Sequence, residues 1–370
     1  MTGGIDETFM QRALALAERA RGLTSPNPMV GAVIVRDGAV VGEGYHAAAG
    51  RPHAEIEALA AAGARARGGT LYVTLEPCAH WGRTPPCAPA VVASGVRRVV
   101  AALADPNPLV AGRGFAILRG AGVEVTAGLL ERDAAQQNRV FVTAIRHGRP
   151  HVTLKAAMTL DGRIADLHGE SKWVTGEAAR AHAHRLRSEV DAIVVGVGTV
   201  LRDDPLLTVR LDRPWPREPF RVVLDARART PVTARVIGAA TPARTIVAVG
   251  SEAPDDAVHA LTDAGATVVR LRADRGRVEP ADVLADLYAR EVRAVLIEGG
   301  GEVHAAFLDA GLVDRVAIFV APRLLGGREA TPLVGGAGRA LKDAVRLGEF
   351  TVTRVGEDLL VEADVVRERS

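Results

Sequence analysis

The sequence predicts a two-domain protein of the α/β class, and three observations support this prediction. The chain has 370 residues, which is more than a single hydrophobic core usually organises. Hydrophobic residues make up 48% of the chain, enough to fill two cores. Segments with strand-like and helix-like patterns alternate along both halves, an order typical of a sheet with helices packed on both faces.

The first half opens with a predicted amphipathic helix and a hairpin. Apolar residues from Phe9 to Ala20 recur at helical spacing and give the N-terminal segment one apolar face. Apolar runs flank Asp37-Gly38, a dipeptide that favours a tight hairpin turn. The remaining pattern predicts helices at residues 53–64, 113–120 and 129–146, a short helix starting near residue 86, and strands at residues 71–75, 96–103 and 123–126.

A break at Gly148-Arg149-Pro150 interrupts this alternation, and we place the domain boundary there. The predicted domains are residues 1–149 and 150–370. In the second half the pattern predicts helices at residues 177–190, 280–290 and 302–310, and strands at residues 151–157, 192–197, 221–224, 245–249, 267–271, 294–297 and 315–320.

Composition excludes several classes of partner. The formal net charge is only +2 and aromatic residues make up 4% of the chain, which argues against a nucleic-acid-binding surface. No apolar run approaches the roughly 20 residues that a membrane-spanning helix needs, and the acidic, amphipathic N-terminus does not resemble a signal peptide. We therefore expect a cytoplasmic protein that acts on a small molecule.

The two cysteines of the chain, Cys78 and Cys87, predict a metal site. A disulfide is disfavoured in the reducing cytoplasm. Upstream, His53 opens the motif His-Ala-Glu, and zinc in catalytic sites takes three nitrogen and sulfur ligands with one position left open. His53, Cys78 and Cys87 provide that ligand set. One alternative is that these three side chains are ordinary buried residues. Another is a closed structural zinc site with His80 as the fourth ligand.

Glu55 is the predicted proton-transfer group of this site. It is not one of the expected ligands, so its carboxylate is free to exchange protons with water and with a leaving amine. Zinc deaminases of nucleobases use this combination of residues. Their cysteines are usually separated by two residues, whereas eight residues separate them here.

Several motifs of the first half resemble the deaminase part of the bifunctional riboflavin-biosynthesis deaminase/reductase family. They are TSPNPMVGAVIV (24–35), GYH (44–46), HAE (53–55), PCAHWGRTPPC (77–87) and ADPNP (104–108). The resemblance implies a cytidine-deaminase-like three-layer domain, one Zn²⁺, and hydrolytic removal of an amino group from a diaminopyrimidinone ribosyl phosphate.

The resemblance also implies a set of substrate contacts, which are Asn27, His46, Arg83, Asp105 and Asn107. The forked guanidinium of Arg83 suits the substrate phosphate. The alternative for Asn27, Asp105 and Asn107 is a purely local role in turns.

Four stretches stand out in the second half. They are LKAAMTLDGRIA (154–165), GESKWVTG (169–176), GVGTVLRDDPLLTVR (196–210) and VLIEGGGEVHAAF (295–307). Glycines between a strand and a helix allow a ligand to approach the backbone, and the helix N-terminus favours a phosphate. Alone, this pattern indicates nucleotide binding only weakly, because no G-x-G-x-x-G fingerprint is present.

In this order, the four stretches resemble the reductase part of the same family. The resemblance implies a dihydrofolate-reductase-like α/β domain that uses NADPH to reduce the ribose of the deaminated product to a ribityl chain. The implied NADPH contacts are Ala157, Trp173, Thr199, Asp203, Gly299, Gly300 and Gly301. The implied substrate contacts are Ser171, Arg187, Leu207, Arg210 and Glu298.

Each of these assignments has a structural alternative. Trp173 would serve as a core aromatic residue, Arg187 as the exposed face of a helix, and Thr199 and Asp203 as caps. A role of Glu298 as a proton relay is a hypothesis, since hydride transfer depends mainly on positioning.

The sequence therefore predicts a bifunctional enzyme whose partner is a small phosphorylated pyrimidine, with homo-oligomerisation left open. One alternative is a nucleic-acid base deaminase with a non-catalytic C-terminal binding domain, which would need a basic, aromatic-lined groove. Another is a binding protein with a closed zinc site.

Overall fold

The computed structural model describes residues 2–82, 84–108, 110–238 and 244–367. The chain forms two compact units, Met1–Arg149 and Pro150–Ser370. Within the described residues, no helix is both long and apolar enough to cross a membrane.

The first unit consists of one sheet and the helices that pack on it. Its elements are α1 (Thr2–Glu18), β1 (Gly31–Arg36), β2 (Ala39–Tyr45), α2 (Ala54–Ala62), β3 (Thr70–Leu75), α3 (Cys87–Ser94), β4 (Arg98–Leu103), α4 (Arg113–Gly120), β5 (Glu124–Ala127), α5 (Glu131–Gln137) and α6 (Arg139–His147). The predicted N-terminal helix and hairpin are confirmed.

The sheet of the first unit has five strands in the order β2-β1-β3-β4-β5. Strand β1 is antiparallel to β2 and β3, and β3, β4 and β5 are parallel. Nearly every residue of β1, β3 and β4 is buried, so both faces of the sheet are covered and the unit has three layers. Helix α1 packs closely on β1, where a Cβ atom added to Gly31 would lie 2.0 Å from the carbonyl oxygen of Ala13.

The single helix predicted over residues 129–146 is wrong, because the structure has two helices that meet at Asn138. Asn138 adopts φ −97° and ψ 21°, and its side chain bonds to the backbone of Met29. Asparagine side chains often bond to backbone groups outside the helix, which favours a helix boundary over a helix interior.

The second unit contains a larger sheet and five described α-helices. Its helices are α7 (Glu177–Ser188), α8 (Val197–Asp203), α9 (Asp255–Asp263), α10 (Pro280–Ala289) and α11 (Gly301–Asp309). Its strands are β6 (His151–Thr159), β7 (Arg163–Ala165), β8 (Ala192–Gly196), β9 (Phe220–Leu224), β10 (Thr245–Gly250), β11 (Thr267–Leu271), β12 (Ala273–Asp274), β13 (Arg277–Val278), β14 (Ala294–Gly299), β15 (Arg315–Ala321), β16 (Thr331–Pro332), β17 (Thr351–Val355) and β18 (Asp358–Asp364).

The main sheet of this unit has nine strands in the order β11-β10-β9-β8-β14-β6-β15-β18-β17. In this order, the first seven strands, from β11 at one edge to β15, are parallel to one another. The last two strands, β18 and β17, are antiparallel to their neighbours and form the other edge. In β8, Ile193 and Val195 pack in one core, and Ala192 and Val194 pack in another. The sheet is therefore covered on both faces, and the carboxyl ends of β6, β8 and β14 lie along one edge, where parallel sheets bind ligands.

The strands predicted in the second half are confirmed, but several elements have no counterpart in the prediction. Helices α8 and α9 and the β17–β18 hairpin are the largest of these. Helix α8 has only seven residues and contains Val197, Gly198, Thr199 and Val200, whose low helix propensity hides it. In β17 four of the five residues are exposed, so the hydrophobic alternation that predicts a strand is absent.

Helix α4 fixes the chain segment that follows β3. The Glu76 carboxylate accepts hydrogen bonds from the backbone N–H groups of Gly114 (2.9 Å) and Phe115 (3.2 Å) in the first turn of α4. A Cβ atom added to Gly114 would lie 2.0 Å from the carbonyl oxygen of Pro77. Only glycine allows this close approach, which holds the segment leading into Cys78.

Gly114→Ala should lower the free energy of unfolding of the first unit by about 2 kcal/mol or more, because the added methyl group overpacks a rigid backbone contact. Gly120→Ala in the same helix is the matched control, since a Cβ atom there meets nothing within 4 Å. Chemical denaturation of both variants tests this. Equal stability of the two variants would contradict the packing argument.

Candidate active sites

Three side chains of the first unit converge in a metal-binding geometry. His53 directly precedes α2, Cys87 begins α3, and Cys78 lies in the loop after β3. The Nδ1 atom of His53 lies 3.6 Å from the Sγ atom of Cys78 and 3.3 Å from that of Cys87, and the three ligand atoms lie within 4.8 Å of one another. Tetrahedral zinc, with bonds of about 2.0 Å to nitrogen and about 2.3 Å to sulfur, places such atoms about 3.6 Å apart. The ligand set therefore fits zinc.

The electrostatics of the cluster favour the thiolate form of Cys78, whereas hydrogen bonding to Cys78 and burial raise the pKa of Cys87. Both cysteines are free thiols, which excludes the disulfide alternative. The backbone N–H of Cys87 donates to the Sγ atom of Cys78 at 3.2 Å. Hydrogen bonding from Cys87, opposed by burial and assisted by His53, lowers the pKa of Cys78 to about 4. A thiolate is the form that binds a metal.

Thr84 supports the imidazole of His53. Its Oγ1 atom lies 3.3 Å from Nε2 of His53. If Nε2 donates its proton to this hydroxyl oxygen, the lone pair of Nδ1 faces the two sulfurs, and such partners set the tautomer of metal-binding histidines. The alternative fourth ligand, His80, is exposed and does not belong to the ligand cluster found among the described residues.

Glu55 lies beside the cluster without being part of it. As the second residue of α2 it is only 3% exposed. Burial raises the pKa of Glu55 to about 7, because the charged form of a carboxyl group is disfavoured away from water. A carboxyl group with such a pKa can both accept and donate a proton near neutral pH.

Asn27 and His46 form a second cluster next to His53. The Nδ2 atom of Asn27 lies 3.0 Å from Nε2 of His46, and Nδ1 of His46 lies 3.1 Å from the carbonyl oxygen of Pro52. The rings of His46 and His53 meet edge to face with centroids 5.3 Å apart. Burial lowers the pKa of His46, so a neutral imidazole accepts the hydrogen bond from Asn27.

The Asp105–Asn107 loop is tied to the same region. The Oδ1 atom of Asp105 accepts a hydrogen bond from the backbone N–H of Asn107 at 2.8 Å, which is the local turn role considered above. The N–H of Asp105 in turn donates to Glu76 at 3.2 Å. Arg83 lies outside the described residues. Sequence reasoning missed Glu76 and Thr84, although both lie within or beside the cysteine motif.

In the second unit, Arg187 and Glu298 form a buried ion pair. Two parallel hydrogen bonds of 2.7 Å join the guanidinium to the carboxylate, and the side chains are 13% and 8% exposed. The alternative of an exposed Arg187 is therefore wrong. Burial favours the neutral form of Glu298, but the charges of Arg187 and Lys155 outweigh this effect and lower its pKa to about 2. A carboxylate that is so firmly ionised is a poor proton donor.

Three further predicted residues, Arg210, Ser171 and Asp203, form side-chain contacts. The guanidinium of Arg210 lies 3.1 Å from Nε2 of His184, whose pKa burial and the charges of Arg187 and Arg210 lower to about 4. The hydroxyl of Ser171 lies 3.4 Å from each carboxylate oxygen of Asp203. The first contact joins the segment after α8 to α7, and the second joins the loop before α7 to the end of α8.

The glycines join β14 to α11. Gly299 ends the strand with a φ of 105°, and Gly301 begins the helix. A Cβ atom on Gly301 would lie 2.8 Å from the carbonyl oxygen of Pro332, whereas one on Gly300 would lie 3.8 Å from Oγ1 of Thr199. The glycine turn and Thr199 are therefore neighbours at the edge formed by β8 and β14.

The remaining predicted residues differ in exposure. Trp173 is 60% exposed, with the guanidinium of Arg180 4.6 Å from its ring centroid, so the core-aromatic alternative is wrong. Leu207 is buried within a hydrophobic core and has a φ of 51°. Ala157 lies on β6 opposite Phe319 of β15.

Both units match known protein families. The family model described as the cytidine and deoxycytidylate deaminase zinc-binding region matches residues 4–103, and the RibD C-terminal domain matches residues 150–361. The riboflavin biosynthesis protein RibD of Aquifex aeolicus is 43% identical over 96% of this chain and 98% of that protein. RibD of Escherichia coli is 43% identical over 87% of this chain and 89% of its own length.

Solved structures of related proteins share the fold of this chain along nearly its whole length. A structure of Acinetobacter baumannii RibD has a TM-score of 0.89 and 39% identity, covering 99% of this chain and 100% of that chain. A Thermotoga maritima structure, described as a diaminohydroxyphosphoribosylaminopyrimidine deaminase/5-amino-6-(5-phosphoribosylamino)uracil reductase, has a TM-score of 0.86 and 37% identity over 99% of this chain and 100% of that chain. The chain belongs to the RibD family of riboflavin biosynthesis proteins.

Membership of the RibD family confirms the predicted fold class, function and cofactors. The chain combines a cytidine-deaminase-like domain with a dihydrofolate-reductase-like domain. It is a bifunctional deaminase and reductase that uses Zn²⁺ and NADPH. Since the RibD C-terminal domain matches the second unit, the alternative of a base deaminase with a non-catalytic binding domain is not supported.

Thr84→Val should weaken zinc binding about 10-fold or more, because the isosteric change removes the partner of His53 Nε2. Thr84→Ser keeps the hydroxyl and is the matched control, for which we expect affinity close to that of the parent protein. Competition with a chromophoric chelator measures both. Parent-like zinc affinity of Thr84→Val would show that Thr84 does not orient the imidazole.

Proposed function

We propose that the first unit removes ammonia from a diaminopyrimidinone ribosyl phosphate and that the second unit reduces the ribosyl group of the product with NADPH. The Thermotoga maritima protein is described as a deaminase of a diaminohydroxyphosphoribosylaminopyrimidine and a reductase of a phosphoribosylaminouracil. The observation that carries the proposal is the convergence of His53, Cys78 and Cys87 beside the buried carboxyl group of Glu55.

In this proposal His53 and the two cysteines hold the zinc ion. When bound, zinc acts as a Lewis acid that lowers the pKa of water toward about 7. His53 offers Nδ1, and Cys78 is readily ionised, so the ligands match the preference of zinc for imidazole and thiolate.

Glu55 is the proposed general base and acid. Hydrolytic deamination forms a bond from the water oxygen to the ring carbon and breaks the bond from that carbon to the amino nitrogen. The nitrogen leaves as ammonia, so a proton taken from water must reach it. Glu55 can accept this proton on one carboxylate oxygen and then donate it, because it is not occupied as a ligand.

Asn27, His46, Arg83, Asp105 and Asn107 are the proposed substrate contacts of this unit. The pairing of Asn27 with neutral His46 supports a polar wall next to His53. Asp105 and Asn107 lie on a loop held by Glu76, and Arg83 is assigned to the phosphate for its forked guanidinium.

In the second unit the proposed NADPH contacts are Ala157, Trp173, Thr199, Asp203, Gly299, Gly300 and Gly301. The glycine turn at the N-terminus of α11 suits a phosphate group, since unpaired backbone N–H groups and the helix dipole favour negative charge there. Its position next to Thr199, at the carboxyl ends of parallel strands, is where such sheets bind nucleotides.

The proposed substrate contacts of the reductase unit are Ser171, Arg187, Leu207, Arg210 and Glu298. With its low pKa, Glu298 serves to orient Arg187 and to hold Lys155 nearby, and it is poorly suited to relay a proton. Hydride transfer to the ribose carbon then depends on alignment of the two ligands. We further propose that the enzyme acts in the cytoplasm, where its two thiols would stay reduced.

Glu55→Gln should reduce the rate of ammonia release by about 100-fold or more. The amount of bound zinc should stay near one ion per chain. Glu57→Gln, an exposed change on the same helix, is the matched control and should deaminate at the parent rate. Ammonia release and metal content are measured on the same preparations. Ammonia release by Glu55→Gln at the parent rate would contradict the proposed role of Glu55 in proton transfer.

Glu298→Gln should raise the KM for the deaminated substrate, with kcat less affected, because Arg187 loses its partner. A loss of kcat of about 100-fold at unchanged KM would instead indicate proton transfer by Glu298. Asp286→Asn on α10, which breaks a surface ion pair with Arg290, is the control and should change neither constant. Steady-state consumption of NADPH gives both values.

Glu298 should also make the second unit sensitive to acid. Its pKa is about 2, below the ordinary value of 4.5, so its stabilising effect is complete above about pH 4.5 and is lost as the pH falls toward 2. In Glu298→Gln this part of the pH dependence should be missing. Thermal unfolding between pH 5 and pH 3, following the transition that NADPH stabilises, tests the difference. Parallel pH profiles for the two proteins would contradict the assignment.

A further inference from the structure

Asn138 is a buried polar residue to which neither predicted reaction assigns a role. It is 2% exposed and lies where α5 gives way to α6. Its Nδ2 atom donates to the carbonyl oxygen of Met29 at 2.9 Å, and its Oδ1 atom accepts from the N–H of Met29 at 2.8 Å. One side chain therefore satisfies both backbone groups of a residue 109 positions away in the sequence.

The segment that Asn138 holds leads directly to the polar wall beside the metal cluster. Asn27 lies two residues before Met29, and its amide contacts His46 at 3.0 Å. Val30 follows Met29, and its carbonyl oxygen accepts the N–H of His46 at 2.9 Å. The ring of His46 lies against the ring of His53. A chain of contacts thus connects Asn138 with the residues that would face the substrate.

The neighbouring residue makes a different set of contacts. The Nε2 atom of Gln137 donates to the carbonyl oxygen of Leu14 and to the carboxylate of Glu18, both at 2.9 Å. These bonds fasten α5 to α1. Residues 137 and 138 therefore offer two adjacent side-chain amides, one holding the helical scaffold and one holding the Asn27 segment.

We infer that Asn138 is a positioning residue for the deamination reaction, which sets the place of Asn27 and His46 through the backbone of Met29. The inference rests on the proposed deaminase function. Small displacements of the groups that position a substrate slow the reaction strongly, since a shift of about 1 Å can reduce the rate by about 100-fold.

The test uses the full chain loaded with zinc. Asn138→Ala should lower kcat/KM for ammonia release by about 10-fold to 100-fold, with metal content unchanged. Reduction of the deaminated substrate by the same preparation should stay at the parent level. Gln137→Ala, which removes the adjacent amide, is the matched control for lost hydrogen bonds and should deaminate within about threefold of the parent protein. A loss in Asn138→Ala no greater than in Gln137→Ala would overturn the inference.

A double-mutant comparison separates positioning from general loss of structure. If Asn138 acts through Asn27, the Asn27→Ala/Asn138→Ala protein should be only slightly slower than Asn27→Ala alone, because residues that share one effect are non-additive. Independent losses that multiply would indicate a purely structural role and would overturn the inference.

Asn138→Asp gives a second variant in case the alanine change prevents folding. It keeps an oxygen that can accept the N–H of Met29, but it loses the donor to the carbonyl oxygen, so kcat/KM should again fall at least about 10-fold. Parent-like deamination by any folded Asn138 variant would refute the inference. If the parent protein itself releases no ammonia from the diaminopyrimidinone phosphate, the proposed function fails and the inference fails with it.

Discussion

Buried loop segments that carry functional residues leave backbone N–H and C=O groups outside regular helix or sheet bonds, and buried side chains can pair with those groups. In the first unit, the side chains of Glu76 and Asn138 form such hydrogen bonds with loop backbone groups. Glu76 accepts hydrogen bonds from the N–H groups of Asp105, Gly112, Gly114 and Phe115, and Asn138 pairs with Met29. Each bond stabilises by only about 1 kcal/mol, but an unpaired buried group costs about 1–3 kcal/mol. The loops therefore have few alternative positions.

In the second unit, charged side chains pair with the backbone groups of loops. Arg187 uses one nitrogen for the carbonyl oxygen of Thr208 at 3.1 Å and two for Glu298, so a single side chain fastens the loop after α8 to the end of β14. Asp161 accepts the N–H groups of Leu325 and Gly326. Removing charges from water offsets much of the attraction within a buried pair. The value of the Arg187–Glu298 pair therefore lies in orientation more than in stability.

The sequence predicted what depends on local chemistry. Ligand types and spacing identified His53, Cys78 and Cys87, and apolar runs identified the buried parallel strands. It could not predict the break at Asn138, because the partner that justifies this break lies 109 residues away. The same applies to Glu76, a carboxylate directly after an apolar strand, whose partners belong to a later loop and helix. Supporting residues become visible only when the fold brings distant segments together.

The two sides of the deaminase site differ in how they are held. The Asn27 segment is fastened by Asn138 and by the hydroxyl of Thr74, which accepts the N–H of Gly31 at 3.1 Å. Neither contact involves a metal ligand. On the other side, the N–H groups of Cys87 and Ala88 donate to the sulfur and to the carbonyl oxygen of Cys78, which is itself a predicted ligand. The fold alone therefore positions the Asn27 side, whereas the cysteine side is built around the predicted metal ligands themselves.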